Sequence, residues 1–196
     1  MTKPVSPTKI VARSELEALI MRDPDWIAGS EWGFPRPGHP EGVVKYHIAE
    51  VLVNLDKISL SVQEKANLRI VALVHDTFKY QVDRNAPRIP PNEHGYLASQ
   101  WLAKYFQDPK LLGLIELHDD GYRAWQDFQH GGEARGWRRI TQIIGRLEGE
   151  MQMFINFYWA DNNVGDKSPE QLPWFIERLG DCGVTVSLPT PTLSGG

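Results

Sequence analysis

The stretch Val71-Ala72-Leu73-Val74-His75-Asp76-Thr77-Phe78-Lys79 restricts the fold more than any other part of the chain. An apolar helical run delivers a His and an Asp side by side, with a Lys three residues on. Two ionisable groups at a buried helix end lose hydration, a loss that partners must offset. A metal ion is the usual partner, because it takes neutral imidazole and carboxylate together. Residues of the same kind recur along the chain: His47 before this stretch, then His94, His118 and Asp161 after it.

The surrounding pattern is helical. Ser14-x-x-Glu17 fits a capping box and opens a short helix, which Asp23-Pro24-Asp25 ends. Trp26 to Gly42 is rich in Gly, Pro and aromatics, and is expected to pack as an ordered loop, with His39 inside it. From Val43 the apolar residues recur at threes and fours through Leu55, and His47 shares their face. Ser61-x-x-Glu64 is a second capping box, leading through Ile70 and Leu73 to His75-Asp76. Residues 80–91 read as a loop carrying Arg84 and Arg88, and Asn92 is placed to cap the helix of His94, Leu97 and Trp101. Asp108-Pro109 starts the helix of Leu111, Leu114, Ile115 and His118, which Asp119-Asp120-Gly121 stops. Tyr122 to Gly136 reads as loop with short helical pieces. One long helix is expected over 137–164, its stripe Ile140, Ile144, Leu147, Met151, Phe154 and Tyr158 ending on Asp161, followed by loop at Asp166-Lys167. Ser168-Pro169 begins a final short helix that Gly180 closes. No repeat, coiled coil or β-hairpin is found, so the expected class is all-α, a compact helical bundle.

A chain of 196 residues suits one domain with a sizeable core, bounded by a flexible leader 1–9 and a loose tail 184–196. The formal net charge of −4 gives no electrostatic case for nucleic-acid or membrane binding as the main activity. The single cysteine, Cys182, rules out an internal disulfide and a cysteine-ligated zinc cage. Met1 to Ile10 lacks the apolar core of a signal peptide, and no apolar run reaches membrane-spanning length. A reducing cytoplasmic setting is therefore expected, and oligomerisation is left open.

One histidine on an apolar helix face is ordinarily a core residue bonded to a carbonyl. Here four of the chain's six do so, together with two aspartates. That ordered set, His47, His75-Asp76 and Asp161, resembles the H…HD…D signature of the HD-domain superfamily, whose fold is a compact helical bundle. With His94 and His118 it is similar to the six-ligand H…HD…H…H…D pattern of two-metal members, over roughly residues 40–166. Phe78 departs from the family, where many members have a small Gly before the Lys. The resemblance implies His47, His75 and Asp161 on one metal, His94 and His118 on the other, and Asp76 bridging both. A carboxylate has two oxygens and can span two ions, whereas an imidazole offers one lone pair. Paired ions about 3.5–4 Å apart lower the pKa of a shared water and clamp the oxygens of an in-line displacement. Imidazoles and carboxylates without thiolate favour Fe, Mn or Zn over Mg.

Asp76 and Lys79 are the residues expected to carry the chemistry, Lys79 as a point charge for an anionic group. Arg123, His130, Arg135 and Arg138 cluster between two ligands and are candidates for the mouth; Arg138 and Arg139 are adjacent, so at most one points inward. Asp119 and Asp120 are placed either to orient ligands by hydrogen bonds or to end a helix. The expected function is a metal-dependent phosphohydrolase or phosphodiesterase acting on a small phosphorylated substrate, a nucleotide among the options. The same ligand pattern is shared by mixed-valent di-iron oxygenases of the superfamily. A non-catalytic regulatory module that keeps its metals is the third option.

Overall fold

The computed structural model describes residues 9–35, 42–165 and 167–191, so His39 and Asp166 lie outside the described residues. Among the described residues the chain is all-α, and its only β-type pairings are two isolated bridges, Gly33 with Val43 and Ile58 with Pro191. The helices are α1 (Glu15–Ile20), α2 (Pro24–Ser30), α3 (Val44–Asp56), α4 (Val62–Val74), α5 (His94–Leu102), α6 (Pro109–Leu117), α7 (Asp120–Gln129), α8 (Glu133–Arg146), α9 (Met151–Asn162) and α10 (Gln171–Asp181). No helix among the described residues is long and apolar enough to cross a membrane.

The middle of the molecule is α4. Every residue from Leu68 to Val74 is buried, so its second half is enclosed on all sides, the environment an all-round apolar helix requires. Helices α3, α6 and α9 pack on it, α5 lies on α6, and the α7–α8 hairpin joins through α6 and α10. The Ser61–Glu64 capping box is complete: Glu64 N–H donates to the Ser61 hydroxyl, and Ser61 N–H donates to the Glu64 carboxylate. At α1 only half of the box forms. Ser14 accepts from Glu17 N–H, while the Glu17 carboxylate accepts from Arg13 N–H and from the buried Arg69 on α4 at 2.8 Å.

Several expected boundaries move. Asp23-Pro24 does not only end α1; the Asp23 side chain caps α2, with Pro24 at its first position. Asn92 does not cap α5, whose N-cap is Glu93. Instead its side chain accepts from Asp83 N–H and donates to the carbonyls of Asp83 and Pro87, closing the 83–92 loop on itself. Tyr122 to Gly136, expected as loop with short helical pieces, is mostly helical: α7 covers Asp120–Gln129 and α8 begins at Glu133. The long helix expected over 137–164 is two helices, because the chain turns through Gly149 with φ 85° between α8 and α9. Gly180 lies inside α10, and the positive-φ turn after that helix is made by Gly183. Residues 184–191 of the expected loose tail run against the bundle: Gln152 accepts from Ser187 N–H and donates to Ser187 O, both at 3.0 Å, and Val184 and Val186 pack on the core.

The buried Arg69–Glu17 pair ties the first helix to the central one. Burial pushes the Glu17 carboxyl up, but its hydrogen bonds to Arg69 and to Arg13 N–H outweigh this and hold it below the usual carboxylate range. Glu17→Gln leaves a buried guanidinium without its counter-charge and is expected to cost about 3–5 kcal/mol in urea unfolding at neutral pH. Because the folded pKa is depressed, the pair's stabilisation is full above the unfolded carboxyl pKa of about 4.3 and is lost as pH falls through the folded value. The gap between wild type and Glu17→Gln therefore closes in acid.

Candidate metal centre

Five of the six expected ligands sit at helix ends, where backbone geometry fixes their direction. His75 is the C-cap of α4 with Asp76 just beyond it, His94 is the first residue of α5, His118 is the C-cap of α6, and Asp161 is in the last turn of α9. His47 lies one turn into α3, on its buried face. Two fastenings hold these ends in register. Asn54 of α3 donates to the carbonyls of Ala160 and Asn163, which fixes the turn of Asp161 relative to His47. Gly95 lets α5 run close to α6, since a Cβ there would stand 2.6 Å from the Glu116 carbonyl oxygen.

The result is two clusters around one carboxylate. His47, His75 and Asp161 form the first, and His94 and His118 with Asp76 the second; each could hold a metal ion. In the first, His47 Nε2 lies 3.2 Å from His75 Nε2 and 2.8 Å from Asp161 Oδ1. In the second, His94 Nε2 and His118 Nε2 are 3.1 Å apart. Asp76 turns Oδ2 toward the first pair, 3.6 Å from His47 and 3.7 Å from His75. Its Oδ1 faces the second, 3.4 Å from His94 and 3.5 Å from His118.

The protonation chemistry fits a cation between them. His75 Nδ1 donates to the Ala72 carbonyl at 3.0 Å and His118 Nδ1 to the Ile115 carbonyl at 2.8 Å, each three residues back on its own helix. In the neutral rings those bonds leave Nε2 as a bare lone pair directed at the centre. Burial pulls the His75 imidazole down to about 3 and lowers His94 as well, so both are neutral at physiological pH. His118 lies above the ordinary histidine value: burial opposes its charge, but Asp119 and Asp76 outweigh it. Asp76 and Asp161 resist burial through Lys79 and Lys167 respectively and stay well below the carboxylate range. Oδ1 of Asp76 and Oδ1 of Asp161 are buried against the imidazole nitrogens. Imidazole nitrogens and anionic oxygens packed this closely are a donor set that could hold a divalent transition ion.

Beside the clusters opens a cavity of about 810 Å³. Asp76, His94, His118 and Asp161 lie at its wall with Lys79 and Arg123, and Trp32, Phe34, Tyr122 and Trp125 line it with Arg84 and Arg88. The Arg84 guanidinium sits 5.9 Å from the Trp32 ring centre. Lys79 bonds Asp76 Oδ2 at 2.5 Å, and Arg123 is held by Glu93. Phe78, the departure from the family pattern, turns into the core against Trp101, 5.3 Å between ring centres, and leaves Lys79 facing the cavity.

The other expected mouth residues are placed elsewhere. His130 caps the end of α7 with Nδ1 on the Gln126 carbonyl, Arg135 pairs with Asp127, and Arg138 is exposed on α8; none of the three lines the cavity. Arg139 spans from α8 to both Asp120 and Asp127, so this basic cluster fastens the α7–α8 hairpin. Two cavity residues escaped the sequence pattern. Lys167 donates to the Asp161 carbonyl and to its Oδ2, both at 3.0 Å. The Tyr158 hydroxyl is buried at the cavity without a partner among the described residues, and burial keeps it protonated, hence a donor. Tyr158 was legible only as one member of an apolar stripe, and Lys167 lies beyond the end of α9, where periodicity says nothing. No protein-family model matches the chain, and neither a curated protein nor a solved structure does.

Metal content tests the centre directly. Protein supplied with Mn, Fe or Zn during expression is expected to carry about two ions per chain by elemental analysis, and chelation should lower its melting temperature, since ions that bind only the folded state stabilise it. Asp76→Ala removes the one residue facing both clusters, so both positions should empty on dialysis. Unchanged metal content in that variant would contradict the geometry.

Proposed function

We propose that the protein is a metal-dependent phosphohydrolase or phosphodiesterase of the HD-domain type, acting on a small phosphorylated molecule. The observation that carries this is the Asp76 carboxylate, which presents one oxygen to each histidine pair at the wall of a cation-lined cavity. Two ions held there would acidify a shared water and offset charge on phosphoryl oxygens. The chain's own groups support the same substrate. Lys79, Lys167 and Arg123 stand beside the ligands, while Arg84 and Arg88, exposed and without an acidic partner among the described residues, stand farther out. The protonated Tyr158 hydroxyl adds a neutral donor. Those cations suit the oxygens of a phosphate, and the aromatic rings that line the cavity suit an organic group attached to it.

The test is release of phosphate, or ring opening of cyclic phosphodiesters, by metal-loaded protein over a panel of phosphomonoesters, cyclic nucleotides and nucleoside phosphates. Failure across the panel would sink the proposal. If Lys79 contributes uniform binding, Lys79→Ala should raise KM about ten- to a hundred-fold, the size of a lost charge-assisted hydrogen bond, with kcat nearly kept. An unchanged KM would remove Lys79 from the binding site.

One observation favours a second reading. His47, His75 and Asp161 form a two-histidine, one-carboxylate group, the ligand type of non-haem iron oxygenases. Iron in anaerobically purified protein, with O₂ consumption dependent on an added substrate, would select that chemistry over hydrolysis.

A further inference from the structure

We propose that Asp119 is a further metal ligand, belonging to the second position and facing the cavity. This rests on the two-ion centre argued above and adds to it a residue outside the six-ligand pattern. Asp119 Oδ2 lies 3.5 Å from His94 Nε2, and its Oδ1 lies 3.6 Å from His118 Nε2. Those separations match the 3.4 and 3.5 Å from Asp76 Oδ1 to the same two nitrogens. One imidazole pair therefore has a carboxylate on either side. The first position is built alike, with Asp161 Oδ1 at 2.8 and 3.7 Å and Asp76 Oδ2 at 3.6 and 3.7 Å from its imidazole nitrogens. With Asp119 counted, each position has two imidazoles, one carboxylate of its own and a share of Asp76.

The local backbone leaves the Asp119 carboxylate uncommitted. Asp119 is the N-cap of α7, where an aspartate ordinarily accepts from the amides of the first turn, a bond worth about 1 kcal/mol. Asp119 itself has helical backbone angles, φ −80° and ψ −15°, so its carboxylate makes no such bond and is left beside the imidazoles. Its one cationic neighbour within ion-pair range, the Arg123 guanidinium, stands 3.8 Å away, leaving the oxygens open to the cavity they line. Charge balance agrees. Two dications beside Lys79 and Lys167 are better matched by three carboxylates than by two. Asp119 is also the more exposed of the two flanking acids, 36% against 13% for Asp161, so the second position is the one nearer the solvent side.

Cobalt spectroscopy on the full chain tests this without reference to turnover. Asp119→Cys loaded with Co(II) is expected to show a thiolate-to-cobalt charge-transfer band absent from the wild type, whose own Cys182 is exposed and serves as the control. Asp119→Asn, which keeps the size of the side chain, should hold the ion of the second position at least about ten-fold more weakly in chelator competition, with the first unchanged. Absence of the band in folded, cobalt-loaded Asp119→Cys, or two wild-type affinities in Asp119→Asn, would overturn the assignment. A wild type that binds no cobalt at all would instead overturn the centre itself.

Discussion

Crowding of imidazole nitrogens and carboxylate oxygens at the end of α4 is the constraint that the rest of the bundle has to contain. Four imidazoles and two carboxylates meet there, three of the nitrogen–nitrogen and nitrogen–oxygen approaches being 3.2 Å or less. Left alone such a cluster would spread. It is held by the enclosed apolar half of α4, by α3 and α9 locked together through Asn54, and by α5 drawn against α6 at Gly95. The core is thus a frame for a polar centre. A cation bound there would convert what strains the frame into what closes it.

How much of this could be read in the chain follows from which physical signal each residue carries. His47 and His118 stand out because the 3.6 period makes an apolar residue the expectation at their positions, and a polar one there is conspicuous. The caps at Ser61 and Asp108 were legible because their hydrogen bonds are local. Long-range packing was not. Asp119 and Asp120 resemble the punctuation of a helix end, but the chain bends and continues as α7, so one acid turns to the imidazoles and the other to Arg139. The stripe from Ile140 to Asp161 keeps its spacing across Gly149, which hid the break between α8 and α9; in the structure Ile143, not Ile144, is the buried partner of Ile140. The basic run at 135–139 carried charge but no direction, and two of its acidic partners, Asp120 and Asp127, lie on the helix before it.

Positive charge is distributed around the centre with a gradient of commitment. Lys79 and Lys167 are spent on the ligand carboxylates, Arg123 is shared among Glu93, Asp119 and Asp120, and Arg84 and Arg88 are unpaired among the described residues. The inner cations are paired with the cluster carboxylates, and the outer ones line the cavity without an acidic partner among the described residues. Asn92 folds the 83–92 loop on itself, and from that loop Arg84 and Arg88 line the cavity, Arg84 beside Trp32.

Helix α2 contributes no ligand, yet it seats the residues that matter most. The Trp26 indole N–H donates to the Leu73 carbonyl at 2.7 Å, and Gly29 presses against the Thr77 carbonyl, where even a methyl group would stand 1.7 Å from the oxygen. That contact fixes how far the turn bearing His75 and Asp76 projects beyond α4. A homologue with a bulkier residue at this position would still display every histidine and aspartate of the signature, in order and at the right intervals. Its clusters would nonetheless stand out of register, which an inventory of residues alone would not reveal.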